Sequence, residues 1–322
     1  MIYTIIFILL LFVELLYFRI ADKFNIIDKP NLRSSHTSIT LRGGGIISLI
    51  GAWIYCAFFG MQYTWFMVGL TLIAGISFID DVHSVKNSLR LVIHFVAMLL
   101  LFNQIGLLHF DYWYIIIVAL IVCVGIINAY NFMDGINGIT GGYSLAVVIP
   151  IIIINHNEAF IDNNLLYVTV LSLVVFCVFN FRKRAKCFAG DVGSVGIAFI
   201  ILFALGCLMF KTGDLSYIVF LALYGIDSVL TIFHRIMLHE HLGEAHRKHA
   251  YQLMANELKI PHTIVATVYS VLQVAISLVF IYIPINHYVY AAIVFILLAV
   301  AYVAFMKKYY HLHEEYLKSK SE

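Results

Sequence analysis

Charge is what this sequence has least of. Asp, Glu, Lys and Arg make up 12% of its 322 residues, about half the share of an ordinary soluble chain. The formal net charge is only +2, so no broad electrostatic field is available to hold nucleic acid. The five cysteines (Cys56, Cys123, Cys177, Cys187, Cys207) are scattered. They have neither metal-ligand spacing nor a disulfide framework, and they read as small core residues. Residues 1–16 contain no Lys or Arg. A signal peptide would start with positive charge and end in a small-residue cleavage site, so this run reads as a retained first helix. No fixed-period repeat and no low-complexity stretch is visible.

Apolar sequence fills the rest. The chain is 62% hydrophobic with a mean hydropathy of +0.95. This predicts an all-α, polytopic helical membrane protein, with residues 1–322 forming a single integral membrane domain. Eleven spans are expected, near residues 1–20, 45–60, 63–79, 91–108, 113–127, 141–154, 165–181, 193–210, 216–236, 262–282 and 288–306. The second, fifth and sixth are short, and the sixth is readable as tilted or partly re-entrant. With the N-terminus outside, 19 of the 20 Lys and Arg fall on the inner side. Lys211 is the exception. The C-terminus and every polar cluster are therefore expected on the cytoplasmic face, with a short charged tail after Met306.

Those clusters carry the chemistry. Residues 128–142 hold Asn128, Asn131, Asp134, Asn137 and four glycines. Asn128, Asn131 and Asp134 recur every third residue and come together on a helical end. The plain alternative is a helix cap and a tight turn. Asp80 and Asp81 are adjacent carboxylates at the end of a span. They are either solvated interfacial acids countered by Lys86 and Arg90, or oxygen ligands for a hard divalent cation. Residues 190–194, Gly-Asp-Val-Gly-Ser, open a span. Asp191 there is either part of a helix cap or, with a cation and the free amides of a helix N-terminus, part of a pyrophosphate cradle.

The last inner loop holds His234, His239, His241, His246 and His249. The His-Glu-x-x-His pattern of a zinc peptidase is absent. His246, Arg247 and His249 suit an anionic ligand, with anionic lipid headgroups as the plain alternative. Asp227 lies inside a span and is a functional candidate for that reason.

In order, the chain carries Arg-Ser-Ser-His (33–36) with Arg-Gly-Gly-Gly (42–45), Asp-Asp (80–81), Asn-x-x-Asn-Phe-Met-Asp-Gly (128–135), Gly-Asp-Val-Gly-Ser (190–194) and Glu-Ala-His-Arg-Lys-His-Ala-Tyr-Gln (244–252). Together these resemble the polyprenyl-phosphate N-acetylhexosamine-1-phosphate transferases. Relatives often carry Asp where this chain has Asn137, and prolines where it has residues 39–41. The last motif lacks a triple-His run, so it looks more like the branch that starts O-antigen, capsule or other surface glycans than the peptidoglycan-precursor branch.

The resemblance implies transfer of a sugar 1-phosphate from a UDP-N-acetylhexosamine to undecaprenyl phosphate, with UMP released. It implies Mg²⁺ as cofactor, with Mn²⁺ as an alternative. Membrane lipids are the surroundings, nucleic acid is not a partner, and a homodimer is an open expectation. On this assignment Asp191 ligates the metal, with Asp134 at the same ion. Asp80, Asp81 and Asp134 are the catalytic candidates. Arg42, Asn128, Asn131, His246, Arg247 and His249 are the substrate-binding candidates. A transporter or flippase of lipid-linked sugars is the competing class, and it would need polar residues near the bilayer midplane.

Overall fold

Long apolar runs in a bilayer must satisfy their backbone internally, and helices do so. The structure is a computed structural model, and it describes residues 1–30, 35, 38–109, 111, 113–241 and 246–321. Its helices are α1 (Ile2–Lys23), α2 (Ile47–Phe59), α3 (Thr64–Val82), α4 (Asn87–Gln104), α5 (Trp113–Met133), α6 (Ile139–Glu158), α7 (Asn163–Asn180), α8 (Gly190–Thr212), α9 (Ala222–Met237), α10 (Ala250–Asn256), α11 (His262–Tyr282) and α12 (His287–Ser321). Short 3-10 turns, Gly44–Ile46 and Leu215–Leu221, lead into α2 and α9. Among the described residues, ten elements are long and apolar enough to cross a membrane, and the shorter Gly44–Phe59 is the eleventh apolar helix. The expected eleven spans therefore each correspond to a helix. Of the expected motifs, Arg33, Ser34 and His36, and Glu244 with Ala245, lie outside the described residues.

Boundaries differ from the sequence expectation at several spans. The sixth span is a full helix of 20 residues, neither short nor re-entrant. Polar Asn155 had truncated the apolar run, but it is buried. Its amide donates to the Ile161 carbonyl at 2.7 Å and its oxygen accepts from the Phe160 amide at 2.9 Å. The fifth span continues through Asn128 and Asn131 to Met133. The charged tail after Met306 is not a tail: α12 runs on to Ser321. At 1.5 Å per residue, its 35 residues measure about 50 Å, well beyond a hydrocarbon core of about 30 Å.

Helix α8 is the centre of the bundle, with 83% of its apolar window buried, whereas α5 is peripheral at 11%. Helices α3, α5, α6 and α2 pack on α8, with Phe66 stacked on Phe203 at 4.1 Å. Large apolar side chains on the outer helix faces, such as Phe12, Ile121 and Val300, are exposed. That is the surface expected to face acyl chains.

The helix ends sort into two sets. One end joins Tyr3 to Asn164, Tyr63 to Asp162, and Asp214 to His287. Lys211 sits there, donating to the carbonyls of Glu158 and Ala159. The other end gathers Arg42, Asp80, Asp81, Arg90, Asp134 and Asp191. A two-residue antiparallel pairing, Ile27–Asp28 (β1) with Thr40–Leu41 (β2), carries the chain to Arg42.

Candidate active site

The backbone at residues 41–45 lies directly on the start of α8. The Phe188 amide donates to the Leu41 carbonyl at 2.8 Å, Gly44 donates to the Phe188 carbonyl at 2.9 Å, and Gly45 to the Ala189 carbonyl at 3.1 Å. A Cβ on Gly45 would lie 2.3 Å from the Gly193 Cα. Only glycine at both positions lets the strands of backbone come this close. The Arg-Gly-Gly-Gly and Gly-Asp-Val-Gly-Ser motifs are thus two halves of one contact.

That contact sets an ion lattice. Arg42 Nε lies 2.7 Å from Asp81 Oδ1 and its Nη2 lies 3.2 Å from Asp191 Oδ1. Arg90, in the first turn of α4, bridges Asp80 Oδ2 at 2.5 Å and Asp191 Oδ2 at 3.1 Å. The Asp81 side chain is fully buried. Its two oxygens accept from the amides of Asp191 and Val192 at 2.9 and 3.0 Å. The amides expected to cradle a phosphate are therefore taken by Asp81, which caps α8 from α3. Asp80 also accepts from the Val85 amide at 2.7 Å. Of the expected counter-charges, Arg90 is in place. Burial opposes the charge on Arg42, but Asp81, Asp191 and Asp28 outweigh it and hold the guanidinium firmly protonated.

The Asn131–Asn137 stretch forms the opposite wall. Asn131 Nδ2 donates to Ser194 Oγ at 3.1 Å, which leaves its amide oxygen available. Asp134 accepts from Thr140 at 2.6 Å. Burial pushes its carboxyl up from the ordinary 3.8 to about 7; the Thr140 bond works against this and the negative neighbours Asp191 and Asp81 add to it. Asn137 is buried, and its amide donates to the carbonyls of Arg182 at 3.0 Å and Lys183 at 3.3 Å. A carboxylate has no proton to donate there, which gives a physical reason for Asn at this position. Between the walls is a cavity of about 300 Å³, lined by Asp28, Arg42, Asn131, Asp134, Asn137, Phe188, Asp191 and Gln252, among others. Asn128, exposed on α5, does not line it.

His246, Arg247 and His249 do not line it either. Burial, together with His249 and Arg235, holds His246 far below the usual histidine range, at about 3, so it brings no positive charge. Arg247 pairs with Glu257 at 3.3 Å and lies 4.6 Å over the Tyr316 ring. His249 caps α10, with Nδ1 3.3 Å from Asp227. Asp227 accepts from the Ala250 amide at 3.0 Å and the Tyr269 hydroxyl at 2.6 Å. The intramembrane acid is thus the anchor of α10. Gln252, one turn into α10, reaches the cavity instead. Sequence reading had singled out neither Gln252 nor Arg90 as a site residue: Gln252 stood only as the last letter of a motif, and Arg90 as a counter-charge.

The donor set fits a divalent cation in part. Asp28, Asp134 and Asp191 and the Asn131 oxygen are the hard ligands such an ion takes. Among the described residues, however, no three of His, Cys, Asp or Glu converge closely enough to hold a metal by themselves. A cation here would take its remaining ligands from water and a bound phosphate group, as Mg²⁺ commonly does.

Residues 63–211 match the family model "Glycosyl transferase family 4". Among similar curated proteins is "Probable undecaprenyl-phosphate N-acetylglucosaminyl 1-phosphate transferase" of Bacillus subtilis (strain 168). It is 26% identical over 74% of this chain and 72% of its own length. "Undecaprenyl-phosphate alpha-N-acetylglucosaminyl 1-phosphate transferase" of Yersinia pestis is 24% identical over 58% of this chain and 56% of its own. "Phospho-N-acetylmuramoyl-pentapeptide-transferase" of Thermotoga neapolitana is 28% identical over 52% of this chain and 60% of its own. The matched region contains Asn131, Asp134 and Asp191, which line the cavity, and Asp81, Arg90 and Asp80, which pair with Arg42, with Asp191 and with Arg90 behind it. These matches support placing the chain among the polyprenyl-phosphate N-acetylhexosamine-1-phosphate transferases of glycosyl transferase family 4.

Proposed function

We propose that the protein transfers N-acetylhexosamine 1-phosphate from a UDP-sugar to undecaprenyl phosphate at the cytoplasmic face of the bacterial inner membrane, as the first step of a surface glycan. The observation that carries this reading is the polar cavity at the basic helix ends, lined by Arg42, Asp134 and Asp191, with Arg90 paired to Asp191. A lipid phosphate and a soluble diphosphate must meet at such an edge. In the transfer, an oxygen of the lipid phosphate bonds to the β-phosphorus of the UDP-sugar. The bond from that phosphorus to the bridging oxygen breaks, and UMP leaves with the bridging oxygen.

Joining two anions makes charge neutralisation and positioning the main tasks. Arg42 stays charged at the mouth of the cavity, and Arg90 holds Asp80 and Asp191 in a fixed arrangement. A divalent cation, Mg²⁺ or Mn²⁺, would be held by Asp191, Asp134 and the Asn131 oxygen, and would screen the diphosphate and polarise the attacked phosphorus.

A direct attack is favoured over a covalent phosphosugar intermediate. Both members of the Asp80–Asp81 pair are engaged, Asp81 by two amides and Arg42, Asp80 by Arg90 and the Val85 amide. Neither presents an uncommitted carboxylate as nucleophile. The test is to assay purified protein with undecaprenyl phosphate against UDP-N-acetylglucosamine, UDP-N-acetylgalactosamine and their 6-deoxy relatives. One of them should give UMP and a lipid-linked sugar in equal amounts. UMP release at the same rate without the lipid would contradict direct attack.

A further inference from the structure

The cytoplasmic end of α12 takes no part in the chemistry above, yet it is built into the support of the cavity wall. His313 Nδ1 lies 3.0 Å from Glu257 Oε1, the same oxygen that accepts from Arg247 Nη2 at 3.3 Å. The side chains of Glu257 and His313 are 4% and 1% exposed. Tyr316 covers the Arg247 guanidinium. One turn earlier, the Tyr310 ring lies 5.9 Å from Lys248 Nζ and 4.4 Å from His234. An acid buried between two basic groups at a helix junction is costly to break, because removing one partner leaves the others buried and uncompensated.

Glu257 is the C-cap of α10. This helix has only seven residues, too few to hold together without tertiary support. Asp227 fixes its start. Its middle forms the back of the active-site turn. Tyr251 Oη donates to the Phe132 carbonyl at 2.9 Å. A Cβ on Gly135 would stand 2.2 Å from Tyr251 Oη and 3.2 Å from Gln252 Nε2. The Asn131–Asn137 turn, which carries Asp134, therefore rests on α10, and α10 is held at its far end from α12.

We infer that Glu257, gripped between Arg247 and His313 of the extended α12, is a positioning residue that holds α10 against the Asp134 turn and so keeps the cavity in its reactive geometry. The activity arm of this inference rests on the proposed transfer reaction; the structural arm does not.

The test uses the full chain in detergent, comparing Glu257→Ala, Glu257→Gln and His313→Ala with the wild type. Turnover at saturating substrates is measured alongside amide hydrogen exchange in residues 131–137 and 250–256. Glu257→Ala and His313→Ala should lower kcat by about 10- to 100-fold, the size expected when a catalytic group is displaced by about an ångström. The KM values should change less than about threefold. Exchange should quicken in both segments while α3 and α8 keep native protection. Glu257→Gln, whose amide oxygen still accepts from both basic partners, should retain at least about a third of the wild-type kcat.

Turnover within about twofold of wild type in both alanine variants would overturn the inference, whatever the exchange shows. Glu257→Gln as impaired as Glu257→Ala with native exchange would overturn it too, by assigning the carboxylate a chemical role. Should the wild type transfer no sugar phosphate, the proposed function fails separately. Unchanged exchange at residues 131–137 in His313→Ala would still overturn the structural coupling, and quickened exchange there would uphold it.

Discussion

Replacing Asp134 by Asn isolates the electrostatic cost of the cavity. The substitution keeps the side chain's shape and an oxygen for the Thr140 hydroxyl, and removes only the charge. In the folded protein the Asp134 carboxyl is pushed up from 3.8 to about 7, first by burial. A group raised in this way binds its proton more tightly in the folded state. It therefore adds stability that is fully present below about pH 4 and is lost as pH rises through about 7.

The full difference corresponds to about 4 kcal/mol. Water in the cavity screens part of this, and about half is a reasonable share. About two-thirds of that, between 1 and 2 kcal/mol, is lost between about pH 5 and pH 8. At about 2–4 °C per kcal/mol, wild-type protein in detergent should lose about 3–5 °C of melting temperature relative to Asp134→Asn across that interval. Adding Mg²⁺ at pH 8 should stabilise the wild type more than the variant. The variant should also lose transfer activity, and wild-type activity should rise with pH through about 7 as the carboxylate forms. Melting curves that shift in parallel with pH for both proteins would refute the reasoning.

Three further outcomes follow from the same geometry. Asp191→Asn should reduce turnover by about 100-fold or more at saturating Mg²⁺ while leaving the detergent melting temperature within a few degrees; near-native turnover would remove Asp191 from the ligand set. Gly193→Ala forces a methyl to within 2.6 Å of the Gly45 Cα, so it should destabilise the protein by about 1–3 kcal/mol and impair activity through the displaced Arg42 and Asp191, read by thermal unfolding and by transfer assay. Finally, a cysteine at Glu158 should react with an impermeant maleimide added to intact cells, and one at Lys186 should not; the opposite pattern would reverse the proposed orientation.

The fold was largely readable from the sequence because long hydropathic runs report directly on membrane-spanning helices. The misplaced edges were those where a polar side chain is satisfied inside a helix. Asn155 ended the sixth run by composition, yet its amide groups are bonded across the α6–α7 turn. Residues 307–321 read as a tail because their charges are consistent with solvent. Their helix is held by buried contacts to Glu257 and Arg247, which no local pattern announces.

The site was legible as a set of carboxylates on one face, and the cavity does bring Asp134, Asp191, Asn131 and Arg42 together. The division of labour among them was not legible. Asp81 is spent on capping α8, and Arg247 on Glu257. Those assignments depend on contacts between residues more than a hundred positions apart in one case and ten in the other, and a spacing rule sees neither. Gln252 had only the last place in a motif to signal it, and α10 brings it to the cavity wall.

In the proposed reaction, phosphorus moves with the sugar. Supplying UDP-N-acetylglucosamine, or whichever UDP-sugar the substrate panel selects, with ³²P in the β-phosphate, together with undecaprenyl phosphate and Mg²⁺, tests it most directly. The label should pass into the lipid fraction as a diphosphate-linked sugar, one per unlabelled UMP released. Label that remains in the aqueous phase as UDP, while the sugar alone reaches the lipid, would contradict it.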